Sequence, residues 1–435
     1  MSALYDAASR KIDALLEFYF TSEPTPVTNN DFLISFNLLE ELGSDAEANP
    51  IGDVSANELD IVLYNQNGIF SPANVDSPYY GLMRSGVKVV VKLRPAPDAE
   101  WDELGTFYVS DWYAEVTGMQ ASVTCFDKLY DALNSAPPTL PVVSNVTYQD
   151  AFSSYMQALG YKYILDDTLK GSMTWWYTLP ESAATLRTLS GACEAAVFCD
   201  HHDNIRVLNL ASKKEVVTTL TDKTQIITAT VPQSINRSYS GLDVSVYNTQ
   251  LSDPAQLLDL KDHLFPPGNG ETGLIQFGTR PVVRVECATT VTASTSIELD
   301  GFQYTTDAIK LKTYNKGVDN TPMSVTIHGR AVEAVKSAYY SYGSNPLVYD
   351  NVYTQTADMA ERVKKMLDRF VRNPLPNLKL SIRGNPKLNL GDKITVSSER
   401  YNLLFTGILQ RASYTYNGAL HCDINLVDST ILEVI

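Results

Sequence analysis

The 435-residue sequence predicts an α+β protein that is mainly β: antiparallel sheet near both ends, a small α/β domain inserted between, and one prominent amphipathic helix near residues 356–371. Three observations carry this. Short runs rich in Val, Ile, Leu, Phe and Tyr alternate with Gly, Pro, Asn and Asp through most of the chain. Helix and strand signals alternate only after Pro137-Pro138. Met359, Val363, Met366, Leu367 and Phe370 recur at the spacing of one helical face.

The elements follow in order. Ser9 to Tyr19 has mixed apolar spacing that suits a short helix or, from Leu15, a strand, and strand is the preferred reading for Leu15 to Phe20. Asp31 to Asn37, Leu59 to Tyr64, Val87 to Leu93, Gly105 to Trp112 and Gln120 to Cys125 read as strands. Asn65-Gln66-Asn67-Gly68 supplies the positive φ angles of a tight turn, so a chain reversal is expected there. This part is an antiparallel sheet able to curl into a barrel. At Pro137-Pro138 the ladder must stop, because proline has no N–H to donate. Thr147 then caps a helix from Tyr148 to Leu159 that Gly160 ends, Tyr163 to Leu165 is a strand, Ser182 to Ala195 a second helix, and Ile205 to Leu210 a closing strand.

From Gln225 strand character returns in Ile226 to Val231, Leu242 to Tyr247, Val282 to Cys287, Ala308 to Tyr314 and Met323 to His328. Pro266-Pro267-Gly268-Asn269-Gly270 marks an exposed loop. The helix from Thr356 to Val371 ends at Pro374 and Pro376. Leu378 to Ile382, Lys393 to Val396, Leu403 to Gln410 and Ala419 to Leu426 close the chain as sheet, with Gly391-Asp392, Thr406-Gly407 and Asn417-Gly418 at turns or bulges. At about 150 residues per domain the length suits roughly three domains. The texture divides the chain into 1–136, 137–215, 216–350 and 351–435.

Composition narrows the function. Hydrophobic residues at 44% and charged residues at 19% permit a packed core. The formal charge of −16 disfavours a surface built to hold nucleic acid, although a negative wall suits a channel through which DNA must slip. No basic-then-apolar leader follows Met1, and no apolar run reaches the about 18 residues that span a bilayer. Cys125, Cys193, Cys199, Cys287 and Cys422 are odd in number and scattered, which argues against a disulfide framework.

Candidate chemistry is sparse. Cys193, Cys199, His201 and His202 are the one cluster of soft-metal ligands, but a zinc site draws ligand pairs from tight turns, and Cys193 falls on a helix. Buried cysteines and a polar turn are the simpler reading, and no cofactor is expected. Glu58 and Asp60 share a strand face as a catalytic carboxylate pair would, or as a solvated sheet face does. No nucleophile elbow, zincin helix or phosphate loop occurs. The 25 tyrosines suit subunit contacts and half-wet sheet faces. Pro78-Tyr79-Tyr80, Trp175-Trp176-Tyr177 and Tyr339-Tyr340-Ser341-Tyr342 are their concentrations. Residues 1–60 hold 12 Asp/Glu against 2 Lys/Arg, and residues 361–411 hold 11 Lys/Arg against 4 Asp/Glu. Such faces either meet between subunits or are solvated. Arg362, Lys365 and Arg369 share one side of the long helix and are the candidates for an intersubunit contact.

The order Asn57-Glu58-Leu59-Asp60, Gly68-Ile69-Phe70-Ser71-Pro72, Ser77-Pro78-Tyr79-Tyr80 and Gly105 to Trp112 resembles the amino-terminal part of bacteriophage tail baseplate hub proteins. Leu388 to Val396 and Gly407-Ile408-Leu409 are similar to the closing segment of the same family. The resemblance implies two tail-tube-like β-barrels per chain and a homotrimer that forms a pseudo-sixfold ring. It further implies a tail-tube or distal tail protein above, a tip, spike or fibre protein below, and transient passage of DNA. The expected place is the virion's tail tip or baseplate, after synthesis in the host bacterial cytoplasm. A non-enzymatic role is expected, any lytic extension being a separate polypeptide. A tail-tip cell-wall hydrolase and a carbohydrate-binding tail protein are the alternatives, and a tail-like bacteriocin or injection machine would use the same ring.

Overall fold

Along Glu58–Tyr64, Leu59, Ile61 and Leu63 are buried while Glu58, Asp60, Val62 and Tyr64 lie on the wetter face. That period of two is what a sheet with one face on a core imposes. It recurs in Lys393–Ser398, near the other end of the chain. In the computed structural model, which describes residues 5, 11–44, 51–96, 99–114, 119–222, 225–230, 239–278, 281–292, 295–373, 377–400 and 402–433, these strands belong to the same sheet. Strand makes up 52% and helix 13% of the chain, so the class is mainly β with several sheets.

Among the described residues the large sheet has 13 strands. Its amino-terminal half runs Leu33–Glu41, Glu58–Tyr64, Gln120–Phe126, Asp102–Ala114, Lys88–Arg94, Asp13–Tyr19 and Thr25–Thr28. Its carboxyl-terminal half holds Leu403–Tyr416, flanked by Leu420–Asp428, Asn377–Ile382 and Ile226–Thr230 on one side and by Lys393–Ser398 and Val216–Thr221 on the other. The halves join where Leu403–Tyr416 pairs antiparallel with Leu33–Glu41, from Arg411 opposite Glu41 to Tyr416 opposite Phe36. A register irregularity between Leu409 and Arg411 lets this one strand serve two neighbours along its length. One apolar core runs under both halves, from Leu16, Phe18 and Phe36 to Ile394, Tyr414 and Leu426.

The inserted segment carries helices α1 (Lys128–Asn134), α2 (Tyr148–Leu159) and α3 (Ser182–Ala192). Thr147 caps α2 by accepting from the Asp150 N–H, and Gly160 ends it at φ 78°. A sheet of Ala195–Cys199, Ile205–Asn209 and Tyr163–Leu165 packs with them. A further β region is organised by the 22-residue strand Thr321–Tyr342. Its first part pairs with Ala255–Phe265 and Val282–Thr292, and its second with Gly241–Leu251. Helix α4 (Ala357–Arg372) is capped by Thr356 and buries Met359, Val363, Met366, Leu367 and Phe370. The short α5 (Ser429–Leu432) follows the last strand and touches α4.

Several expectations need correction. Asn67 and Gly68 take the expected positive φ, 57° and 66°, in a 3-10 turn that opens a long loop, and the chain does reverse, Lys88–Arg94 running opposite to Glu58–Tyr64 with Gln120–Phe126 and Asp102–Ala114 between them. The helix expected through Ala195 stops at Ala192, because Ala195–Cys199 is fully buried sheet and cannot also be a helical face. Gly268–Glu271, expected as loop, pairs with Ala308–Asn315. Thr406-Gly407 is regular strand, the irregularity falling two residues later. Pro374 and Pro376 lie outside the described residues.

Candidate functional site

The motifs at the amino-terminal end build a packed cap rather than a reactive centre. Asn65, buried at the turn, accepts from the Phe70 N–H at 2.7 Å and donates to Ser71 Oγ at 2.9 Å. Ser77 Oγ donates to the Ile69 carbonyl at 2.6 Å, and Trp112 Nε1 to the Phe70 carbonyl at 2.8 Å. These bonds hold Phe70 and Tyr79 in a stack at 5.7 Å, with Tyr79 also stacked on Phe20 at 4.7 Å. The loop thereby covers the edge of the core.

At the other end, Gly391 has φ 85°, and a Cβ there would meet Leu208 Cδ2 at 2.2 Å. Its N–H donates to the Leu409 carbonyl, and Asp392 returns a carbonyl to the Leu409 N–H. The Gly391-Asp392 turn therefore seats Leu208 of the inserted segment against the closing strands.

A polar seam joins the turn at 199–204 to the large sheet. His201 Nε2 lies 2.9 Å from Glu40 Oε1, both side chains at least nine-tenths buried. Asn57 donates from Nδ2 to the Cys199 carbonyl, accepts from the Glu41 N–H, and gives its own N–H to Asp127. Tyr108 Oη and Lys128 Nζ both donate to Asp203 Oδ2, at 2.9 and 2.5 Å. Burial pushes Asp127 up to about 7 although the Asn57 and Leu129 N–H groups oppose it. For His201, burial works against the imidazolium, but the charge and hydrogen bond of Glu40, with Asp200 and Glu103, outweigh it and raise the pKa. The Asp127 cap was readable in Asp127-Lys128-Leu129. The Glu40–His201 pair, 161 residues apart, had no local signal.

Candidate residues scatter. Cys193 and Cys199 are buried, His201 faces Glu40, and His202 is exposed. Among the described residues no group of three or more His, Cys, Asp or Glu is placed to hold a metal. Asp60 accepts from Thr124 Oγ1 at 2.7 Å, and Glu58 is raised by burial, then by Asp60 and Glu41. On α4, Arg362 turns inward: its Nε lies 3.3 Å from Glu194 Oε1, and it donates to the Lys170 carbonyl. Arg369 donates to the Thr430 and Glu433 carbonyls at the exposed edge of α5, and Lys365 is exposed. The tyrosine run is likewise engaged, with Tyr339 donating to Glu361 and Tyr342 to Asp368. No helix among the described residues is long and apolar enough to cross a membrane.

No family model matches the sequence, and no curated protein matches it. Solved structures do. The 43 kDa tail protein of prophage MuSo2 from Shewanella oneidensis is similar with a TM-score of 0.55 at 12% identity, over 97% of this chain and 99% of that one. The tail protein from Neisseria meningitidis MC58 is similar with a TM-score of 0.53 at 9% identity, over 97% of this chain and 98% of that one. The chain has a phage tail-protein fold along nearly its whole length.

Proposed function

We propose that this chain is a structural subunit of a phage tail, a baseplate hub whose copies close into a ring between the tail tube and the tail tip. The observation that carries the reading is the likeness to tail proteins across nearly the full length of both chains, with no large unmatched domain on either side. The joined sheet is consistent with it: two halves, of seven and six strands, lie over one core, and we read each half as one wall of a tube-like barrel. Three such chains would present six walls to a sixfold tube. The division at 1–136, 137–215, 216–350 and 351–435 is kept as the domain proposal, with the first and last sharing the sheet and the third lending it Val216–Thr221 and Ile226–Thr230.

In this reading the role is mechanical, with DNA passing through the ring and no catalytic step. A distal tail or tube protein lies above it and a tip, spike or fibre protein below, in the virion's tail, after synthesis in the host cytoplasm. Lys365 and Arg369, exposed on α4, are the proposed cations of a subunit contact, while Arg362 serves inside the chain.

The test is the absolute mass of the purified chain by light scattering behind size exclusion at two salt concentrations. A particle of about three times 48.1 kDa is expected, and its loss at high salt would place charge at the contact. A monomer at both salts, also when tail-tube protein is added, would overturn the ring.

A further inference from the structure

We propose that the seam between the turn at 199–204 and the large sheet is a proton-sensitive latch, closed by protonated His201 on the Glu40 carboxylate and loosened when His201 loses its proton. The inference stands on the seam's geometry and is independent of the hub reading.

The pair crosses between two parts of the molecule. Glu40 sits on Leu33–Glu41, the strand that joins the two halves of the sheet, and His201 sits on the hairpin of the inserted domain. With side-chain exposures of 3% and 10%, neither group can exchange its partner for water without the seam opening. Glu40 Oε2 has no hydrogen-bond partner among the described residues, so the carboxylate depends on His201 for compensation.

The surroundings set the direction. Asp200 on the same turn, Glu103 on Asp102–Ala114 and Asp392 on the Gly391-Asp392 turn all face His201 with negative charge, while Arg206 faces Asp392. Tyr414 and Cys422, from the closing strands, face Glu40. Surrounded by carboxylates, the imidazolium is held by attraction; the neutral ring leaves a buried carboxylate with one neutral donor. Of the neighbouring contacts, Asp127, which accepts the Asn57 N–H and is pushed up to about 7 by burial, also loses a proton in this range, so a His201 variant is needed to separate the two; the contacts to Asp203 do not switch there. Burial pushes Tyr108 up to about 12 and Lys128 is raised by Asp203 against its own burial, so the bonds to Asp203 persist until strongly alkaline pH.

The sign follows. His201 is raised above its ordinary 6.5, so the pair contributes fully below about pH 6.5 and its contribution is lost as pH rises through the folded-state value. The latch is closed in acid-to-neutral solution and loosens on the alkaline side.

Hydrogen exchange of the full chain, corrected for intrinsic rates, tests this at about pH 6 and about pH 9. Peptides covering 36–42 and 199–205 are expected to lose about tenfold in protection between the two, while a peptide over Val325 to Ile327, in a separate core, stays constant. His201→Gln, which keeps a donor but no titration, should be weakly protected at about pH 6 and lose by about pH 9 only the smaller part that Asp127 contributes. Should that variant not fold, Glu40→Gln should give the same reduced loss. Wild-type protection that is unchanged with pH, or an unabated loss in either variant, overturns the latch.

Discussion

Arg411 and Glu41 stand directly opposite each other at the point where the closing strand of the chain meets one of its first, with Arg411 Nε 3.7 Å from Glu41 Oε2. This is where the basic run near the carboxyl end and the acidic run near the amino end touch: within one chain, across a strand pair, rather than only between chains. The ion pair is half exposed on the Arg411 side, at 49%, so it sets register more than it stabilises. Five residues further along the same pairing, Phe36 and Tyr416 stack at 5.5 Å, and Tyr416 Oη donates to the Ile12 carbonyl at 3.0 Å.

The first prediction separates those two contributions. Tyr416→Ala should cost about 3–5 kcal/mol in chemical denaturation, because it removes a fully buried ring and leaves the Ile12 carbonyl without its donor. A double-mutant cycle on Arg411 and Glu41 should return a coupling below about 1 kcal/mol. Equal effects at the two sites would mean that charge, not packing, holds the halves together.

Gly391 offers a second test. Gly391→Ala should destabilise by about 1–3 kcal/mol, since φ 85° strains any side chain and the new Cβ meets Leu208. Adding Leu208→Ala removes the clash but not the strain, so rescue should be partial. Full rescue would assign the cost to packing alone.

The third concerns pH. Glu194 is raised to about 7 by burial, against the pull of Arg362. The folded chain thus keeps a proton that the unfolded chain releases near its ordinary 4.5. Stability is therefore greatest below about pH 4.5 on this account and falls as pH rises to about 7, by an amount on the order of 3 kcal/mol. Asp127, also raised to about 7, adds a fall of the same sign. Urea titrations between pH 5 and 7 should show a shallower slope in Glu194→Gln than in wild type, and identical slopes would refute the assignment.

The cysteines supply a fourth. Cys287 is exposed, whereas Cys125, Cys193, Cys199 and Cys422 are buried free thiols whose ionisation burial opposes. A thiol reagent should label one cysteine rapidly in the native protein and the other four only on unfolding. Added zinc should leave the melting temperature unchanged. A stoichiometric zinc-dependent rise would restore Cys193, Cys199, His201 and His202 as ligands.

Local signals were legible where the physics is local. Thr147 as a cap, Gly160 as a stop, and the apolar face of α4 all followed from bonds or contacts within a few residues, and the structure carries each of them. After Asn67-Gly68 the chain does reverse, Lys88–Arg94 running opposite to Glu58–Tyr64, but two other strands lie between them, because backbone φ specifies a turn and not which strand the chain pairs with afterwards.

By itself, the sequence determined the mainly β class, the inserted helices at Tyr148–Leu159 and from Ser182, the strands at Tyr163–Leu165 and from Ile205, and the absence of any familiar catalytic or metal-binding spacing. Tertiary structure alone decided that the first and last strands form one sheet, that Arg362 turns inward to Glu194, and that His201 belongs to Glu40. The reason is separation: Glu40 and His201 are 161 positions apart, and Phe36 and Tyr416 more than three hundred. A side chain's residue type and spacing report the few neighbours that covalent geometry fixes. Only the assembled core decides which distant charge is close enough, and dry enough, to be its partner.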